Sequence, residues 1–242
     1  MTQIADKAAV AALRARAPDL KESLEIGRDN HATLRNAWPD RFDGAGAAFR
    51  ARMVAFFAAC QGVHVALMQA LARGLGLPAA FFDGAVAAAD NNLRLLHYPR
   101  APARAGTVRA GEHTDYGTVT LLFQDARGGL QVRGPRGGWV DAAPIAGTLV
   151  VNAGDLLARW SNGIVASTEH RVVEPPGAPV DGEYPARYSC AWVLPGKRRC
   201  VDADGDQVLL QSEFRYGGGG SAGHFLGRKT KAVAANPCWR IP

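Results

Sequence analysis

From Leu93 onward the chain is cut into short apolar runs by glycine, proline, asparagine or aspartate at close, regular intervals. LRLLHYP (93–99), TVTLLFQD (118–125), GGLQVR (128–133), GGWVDAAP (137–144), GTLVVNAGDLL (147–157), ASTEHRVVEP (166–175) and ARYSCAWVLP (186–195) follow one another in this way. Runs of this length, rich in Val, Leu, Tyr and Trp and bounded by turn formers, predict an all-β core. The separators Ala126–Gly129 and Gly134–Gly138 carry turn chemistry, so successive strands are expected to be antiparallel and adjacent. A two-sheet jelly roll or a barrel follows.

Ahead of this core one helix is legible. Phe49, Met53, Phe56, Cys60, Val63, Leu67 and Leu71 recur at steps of three and four, which predicts one buried helical face. The helix is expected to begin near Asp43 and to stop at Gly74, Gly76 and Pro78, bracing an outer face of the β-structure. The twenty uncharged residues between Arg52 and Arg73 are long enough to span a bilayer, but Gln61, His64 and Gln69 interrupt them, so a core helix is expected and no membrane partner. Residues before the helix read as short helix and loop, with no strand expected before residue 90. The first residues lack the apolar run of a secretory signal.

Composition narrows the function classes. Twenty-eight Lys and Arg against twenty-two Asp and Glu leave a net charge of +6, but the basic residues are scattered with few aromatics among them, so nucleic acid is not expected as a partner. Cys60, Cys190, Cys200 and Cys238 form no CxxC pair, which disfavours a zinc knuckle or disulfide scaffold. A reducing, cytoplasmic compartment is expected. Oligomeric state is not legible.

The residues that carry chemistry begin with Gly111–Gly117, GEHTDYG. His113 and Asp115 are two apart, so on an extended strand they share a face and can meet one metal ion. A His-x-Asp pair alone is more often a polar strand end than a ligand pair. His170 stands fifty-five residues beyond Asp115 on another predicted strand, and two imidazoles with one carboxylate make the facial ligand set of non-haem iron oxygenases. Seventeen residues further, Arg187 and Ser189 share a face by the same i, i+2 rule, and a guanidinium beside a hydroxyl suits a carboxylate. Tyr98 is placed to add a phenolic hydroxyl. A zinc hydrolase built on the same two histidines and aspartate is disfavoured, because it gives Arg187 and Ser189 no role and shows no general base.

In this order, HxD, a distant His and RxS, the constellation resembles the iron(II) and 2-oxoglutarate-dependent dioxygenases of the isopenicillin N synthase-like branch. KESLEIG (21–27), NAWP (36–39), GLGLPAAFFD (74–83), LRLLHYP, GEHTDYGTVTLLFQD (111–125), VVNAGDLLARWSNG (150–163) and STEHRVVEP (167–175) are similar to that family's phrases, over about Lys21–Ala191. The resemblance implies a mainly β double-stranded β-helix (a cupin-like jelly roll) braced by a long N-terminal helix, with the family's N-terminal region shortened. It implies Fe(II) held by His113, Asp115 and His170, and 2-oxoglutarate bound by Arg187 and Ser189 with help from Tyr98. O2 is the further co-substrate, and a small organic molecule of secondary metabolism is oxidised as succinate and CO2 form.

Leu96 and His97 stand where many relatives carry an asparagine, and His97 is expected to be a plain strand histidine. Residues 1–88 are expected to form a helical N-terminal region, 89–195 the dioxygenase core and 196–242 a divergent, flexible tail. The alternative reading is a catalytically silent member that keeps the fold with partial or no iron and 2-oxoglutarate binding.

Overall fold

The computed structural model describes residues 20–87, 90–102, 108–174, 177, 179, 181–193 and the pairs 200–201 and 207–208. Leu20–Pro195 falls in one compact unit. Its elements are, in chain order, strand β1 (Glu22–Ile26), helix α1 (Gly44–Gly74), helix α2 (Asp83–Val86), strands β2 (Asn92–Tyr98), β3 (Ala101–Pro102), β4 (Val108–His113), β5 (Val119–Gln124), β6 (Leu130–Arg133), β7 (Trp139–Asp141) and β8 (Val150–Ala153), helix α3 (Asp155–Trp160), and strands β9 (His170–Val173), β10 (Glu183–Tyr184) and β11 (Arg187–Val193). In the other unit the described residues are the short ladder of β12 (Cys200–Val201) with β13 (Gln207–Val208). The expected flexible tail otherwise lies outside the described residues.

Helix α1 starts where the sequence places it. The Asp43 side chain accepts the amide proton of Gly46 at 2.7 Å, satisfying one of the unpaired donors of the first turn. At its far end Gly76 turns to φ +75°, and the Leu77 amide reaches back to the Ala72 carbonyl at 2.9 Å, a closure that favours glycine. Length and composition alone make α1 apolar enough to cross a membrane. In this fold one face of it lies on a sheet, and the polar residues that interrupt it have protein partners: Gln61 donates to the Val86 carbonyl, Gln69 to Asp83, and His64 meets Thr118.

The buried line of α1 is Gly46, Phe57, Cys60, His64, Met68 and Ala72, and Val63 is exposed. The expected face is therefore rotated toward its neighbour. The neutral His64 and the small Ala72 pack at the centre of the contact, while Phe49, Met53, Phe56, Leu67 and Leu71 flank it half-buried.

Two antiparallel sheets carry most of the rest, with β3 and β10 paired apart from them. The larger runs β1-β2-β11-β5-β8 and the smaller β4-β9-β6-β7. On the outer face of the larger sheet, Ile26, Leu93, Leu121 and Trp192 pack with Phe57 and Cys60 of α1, and the Phe57 and Trp192 rings meet edge to face at 4.3 Å. Burying each such side chain contributes about 1.5–3 kcal/mol. Alternation along β2 sends Leu93 and Leu95 to the helix, and Leu96 and Tyr98 inward. There Tyr98, with Leu122 and Val150 of the larger sheet, meets Ala110, Leu130 and Val172 of the smaller one, so the sheets face each other across an apolar core.

Two expectations need correction. A strand does precede residue 90: β1 joins the larger sheet along β2, from Glu22 opposite His97 to Ile26 opposite Leu93. Its polar alternation hid it, because only Ile26 of the five residues is buried. Successive strands are antiparallel to their partners, but they are mostly not adjacent: from β4 to β9 the chain crosses between sheets at each step save one. The exception is the β6–β7 hairpin, closed by Gly137 at φ +81° and by Gly134 N–H to the Gly138 carbonyl at 2.7 Å. Gly128 and Gly129, at φ +78° and +87°, redirect the chain out of the larger sheet instead of reversing it within one.

Candidate functional site

The smaller sheet supplies two imidazoles. Strand β4 pairs with β9 through two register irregularities, between Val108 and Ala110 and between Ala110 and His113, and these bring His113 directly opposite His170. The ring centroids are 4.3 Å apart. Each ring spends Nδ1 on a main-chain carbonyl, His113 on Gly111 at 2.7 Å and His170 on Thr168 at 3.1 Å. That bond fixes the proton on Nδ1 and turns the Nε2 lone pair toward the shared space, the arrangement typical of metal-ligating histidines. Burial, reinforced by the neighbouring imidazole of His170, holds the His113 pKa below its ordinary 6.5.

Asp115 joins them from a different kind of element than the sequence suggested. Strand β4 ends at His113, so Asp115 lies past the strand, in the turn leading to β5, and the same-face argument does not apply to it. The turn itself delivers the carboxylate. One ligand atom from each of His113, Asp115 and His170 lies within 4.8 Å of the others, and Asp115 Oδ1 is 3.7 Å from His170 Nε2. Two imidazole nitrogens and a carboxylate oxygen converging from one side fit a divalent iron with open positions.

The turn is held by the segment between β8 and α3. The Gly154 amide donates to the Thr118 carbonyl at 2.8 Å, the Asp155 amide to the Asp115 carbonyl at 2.7 Å, and the Leu156 amide to Gly117 at 3.1 Å. Thr114 closes the ring by donating its hydroxyl to Asp155 Oδ2 at 3.1 Å. A Cβ on Gly154 would stand 2.4 Å from the Gly117 oxygen, so this approach requires glycine. From β8, Asn152 Nδ2 donates to Asp115 Oδ2 at 2.7 Å. Sequence reasoning missed Asn152, Gly154 and Asp155 as parts of the site. Their cue was a polar residue on the inner face of a strand just before a glycine and a helix-starting aspartate.

The larger sheet supplies a cation. Arg187 is 1% exposed and points into the space between the sheets, beside Ser189 on the same face of β11. Its Nε donates to the Gly128 carbonyl at 2.8 Å, Nη1 to Ser189 Oγ at 3.1 Å and Nη2 to Gln124 Oε1 at 3.4 Å, and its guanidinium lies 4.9 Å from the centre of the Tyr98 ring. Burial lowers its pKa from the usual arginine value. Among the described residues it has no ion pair, in contrast to the equally buried Arg109, whose Nε is 2.9 Å from Glu174 Oε2. The Asp125 carboxylate acts on Arg187 from beyond ion-pair distance, its hydrogen-bond partners Gly128, Ser189 and Gln124 are neutral, and a buried fork with an adjacent hydroxyl is shaped for a carboxylate. Tyr98 contributes the face of its ring here. His97 lies on the opposite face of β2, stacked on Tyr188 with centroids 4.8 Å apart and with Nδ1 2.8 Å from Glu22 Oε2, and there it lines a pocket with Glu22 and Tyr188, so it is more than the plain strand histidine expected.

Comparison with known proteins agrees with this geometry. Residues 89–194 match the model of the 2OG-Fe(II) oxygenase superfamily. The chain is 41% identical over 180 residues to the proline hydroxylase buaE of Petromyces alliaceus, covering 72% of this chain and 56% of that protein. It is 38% identical over 197 residues to the 2-oxoglutarate-dependent dioxygenase frbA of Dothideomycetidae sp., covering 78% of this chain and 58% of that one. Among solved structures, a full-length Neurospora crassa protein in complex with alpha-KG and thymine matches with a TM-score of 0.71 and 47% identity, over 83% of this chain and 64% of that one. The chain thus spans less than two thirds of the length of these relatives. On these grounds residues 89–194 carry the pattern of the 2OG-Fe(II) oxygenase superfamily.

Proposed function

We propose that this chain is an Fe(II)- and 2-oxoglutarate-dependent dioxygenase of the isopenicillin N synthase-like branch that oxidises a small organic molecule as succinate and CO2 form. The observation that carries the proposal is the pairing across the core. A His, Asp and His cluster on the smaller sheet faces a space into which the larger sheet sends a buried guanidinium with no ion pair among the described residues.

In this reading His113, Asp115 and His170 hold the iron, while Arg187 and Ser189 bind the carboxylate of 2-oxoglutarate remote from the metal. Once bound, iron and the oxo acid supply the oxidising chemistry, using O2. The protein's own work is orientation. The carbonyls of Gly111 and Thr168 keep both imidazoles aimed, the Gly154–Leu156 amides hold the aspartate turn, and the Tyr98 ring with the apolar inter-sheet core keeps water from the guanidinium. We read the two sheets as a double-stranded β-helix, with residues 89–195 as the dioxygenase core and 1–88 and 196–242 as its flanking regions. A proline hydroxylase and a thymine-bound structure among the relatives support a small organic molecule as substrate; secondary metabolism and a cytoplasmic location belong to the same proposal.

The test is succinate release from 2-oxoglutarate by the purified chain with Fe(II) in air, in the presence of amino-acid and nucleobase candidates. Succinate above background, lost in Asp115→Ala, is expected. A folded protein that forms none, or one that hydrolyses esters or amides equally well with Zn(II), contradicts the proposal.

A further inference from the structure

Asp115 uses its two carboxylate oxygens differently. Oδ2 accepts the Asn152 amide proton at 2.7 Å, while Oδ1 is the oxygen 3.7 Å from His170 Nε2. Asn152 is itself fixed: it sits on β8 opposite Thr120 of β5, and β8 is continuous with the Gly154–Leu156 segment that holds the backbone of the aspartate turn. The Asp115 backbone and one of its oxygens are therefore tied to a single rigid stretch of chain, leaving one oxygen for the ion.

We infer that Asn152 is a positioning residue that restricts Asp115 to one-oxygen ligation and so preserves the number of open positions at the metal. The inference rests on the proposed metal centre. In a six-coordinate ion, two imidazoles and one carboxylate oxygen leave three positions. A 2-oxo acid that chelates through a carboxylate and its keto oxygen occupies two, and one remains for O2. If Asp115 closed onto the ion with both oxygens, only two positions would be left and co-substrate and oxygen would compete for them. A carboxylate with a free second oxygen readily closes in this way on hard cations. The hydrogen bond from Asn152 opposes that closure, because the amide loses its acceptor if Oδ2 turns toward the metal.

The experiment uses Mn(II) as the probe ion and counts its inner-sphere waters by water-proton relaxation, first without and then with 2-oxoglutarate. The wild-type chain should hold Mn(II) with three exchangeable waters and keep one after 2-oxoglutarate binds. Asn152→Leu, close in volume but with no donor, should hold two waters, a drop of about one third in the inner-sphere contribution, and none after 2-oxoglutarate. Should Asn152→Leu not reach the wild-type melting temperature, Asn152→Ala takes its place. Wild-type water counts in a folded variant, or complete loss of Mn(II) from one, overturn the inference while leaving the metal centre standing. Failure of the wild-type chain to bind Mn(II) in a manner that His170→Ala abolishes overturns the metal centre itself, and the inference with it.

Discussion

Arg187 and His170 separate the two halves of the site at the scale of single residues. His170 contributes one nitrogen to a three-donor cluster, and removing it leaves two donors with no replacement among the described residues. Arg187 has no part in that cluster. Among the described residues it donates to the neutral oxygens of Gly128, Ser189 and Gln124. Arg187→Ala should therefore leave metal affinity within a few-fold of wild type and weaken 2-oxoglutarate by about 2–5 kcal/mol, or roughly thirty-fold to several thousand-fold, as measured by calorimetry on the metal-loaded chain. Unchanged co-substrate affinity would refute the assignment. At this scale the sequence was informative, because HxD, the distant His and RxS, ambiguous singly, point to one chemistry when taken in order. It was silent on Asn152, since an asparagine in a strand announces no partner until the fold shows Asp115 beside it.

At the scale of elements, α1 ties the outer core to the aspartate turn. His64 is fully buried on its sheet-facing side, its Nε2 3.2 Å from the Thr118 hydroxyl and its Nδ1 without a hydrogen-bond partner among the described residues. Burial pushes its pKa from 6.5 down to about 4. The unfolded chain then binds a proton that the folded chain refuses between those values, so the stability associated with neutral His64 is intact above pH 6.5, declines as the pH falls, and is lost below about 4. The full effect is roughly 3 kcal/mol. Urea unfolding of wild type and His64→Leu across pH 7 to 4 should show a steeper loss for wild type, and parallel curves would contradict it. The sequence indicated this helix, its Asp43 cap and its glycine stop, because those signals are local. It misjudged the buried face by about one residue, because the stripe of large apolar side chains flanks a central line that includes His64 and Ala72. Strand β1 escaped notice for a related reason: in a five-residue edge strand the two apolar residues, Leu24 and Ile26, are too short a period to read.

At the scale of the whole unit Leu20–Pro195, the site exists only because the sheets face each other. The chain crosses between them repeatedly, so that His113 and His170 end on one sheet and Arg187, Ser189 and Tyr98 on the other, with the apolar contacts of Leu122, Val150, Leu130 and Val172 between. Strand spacing in the sequence predicted β-structure but not these crossings, since a glycine pair such as Gly128–Gly129 reads equally as a hairpin or as an exit from the sheet. In the proposed function both halves act on one metal-bound co-substrate, which an anaerobic titration of the chain with Fe(II) and then 2-oxoglutarate can show. A visible charge-transfer band should appear only when both are present, be absent in His170→Ala, and need much more 2-oxoglutarate in Arg187→Ala. A folded, monodisperse protein that gives no band, or a band indifferent to His170, would contradict it.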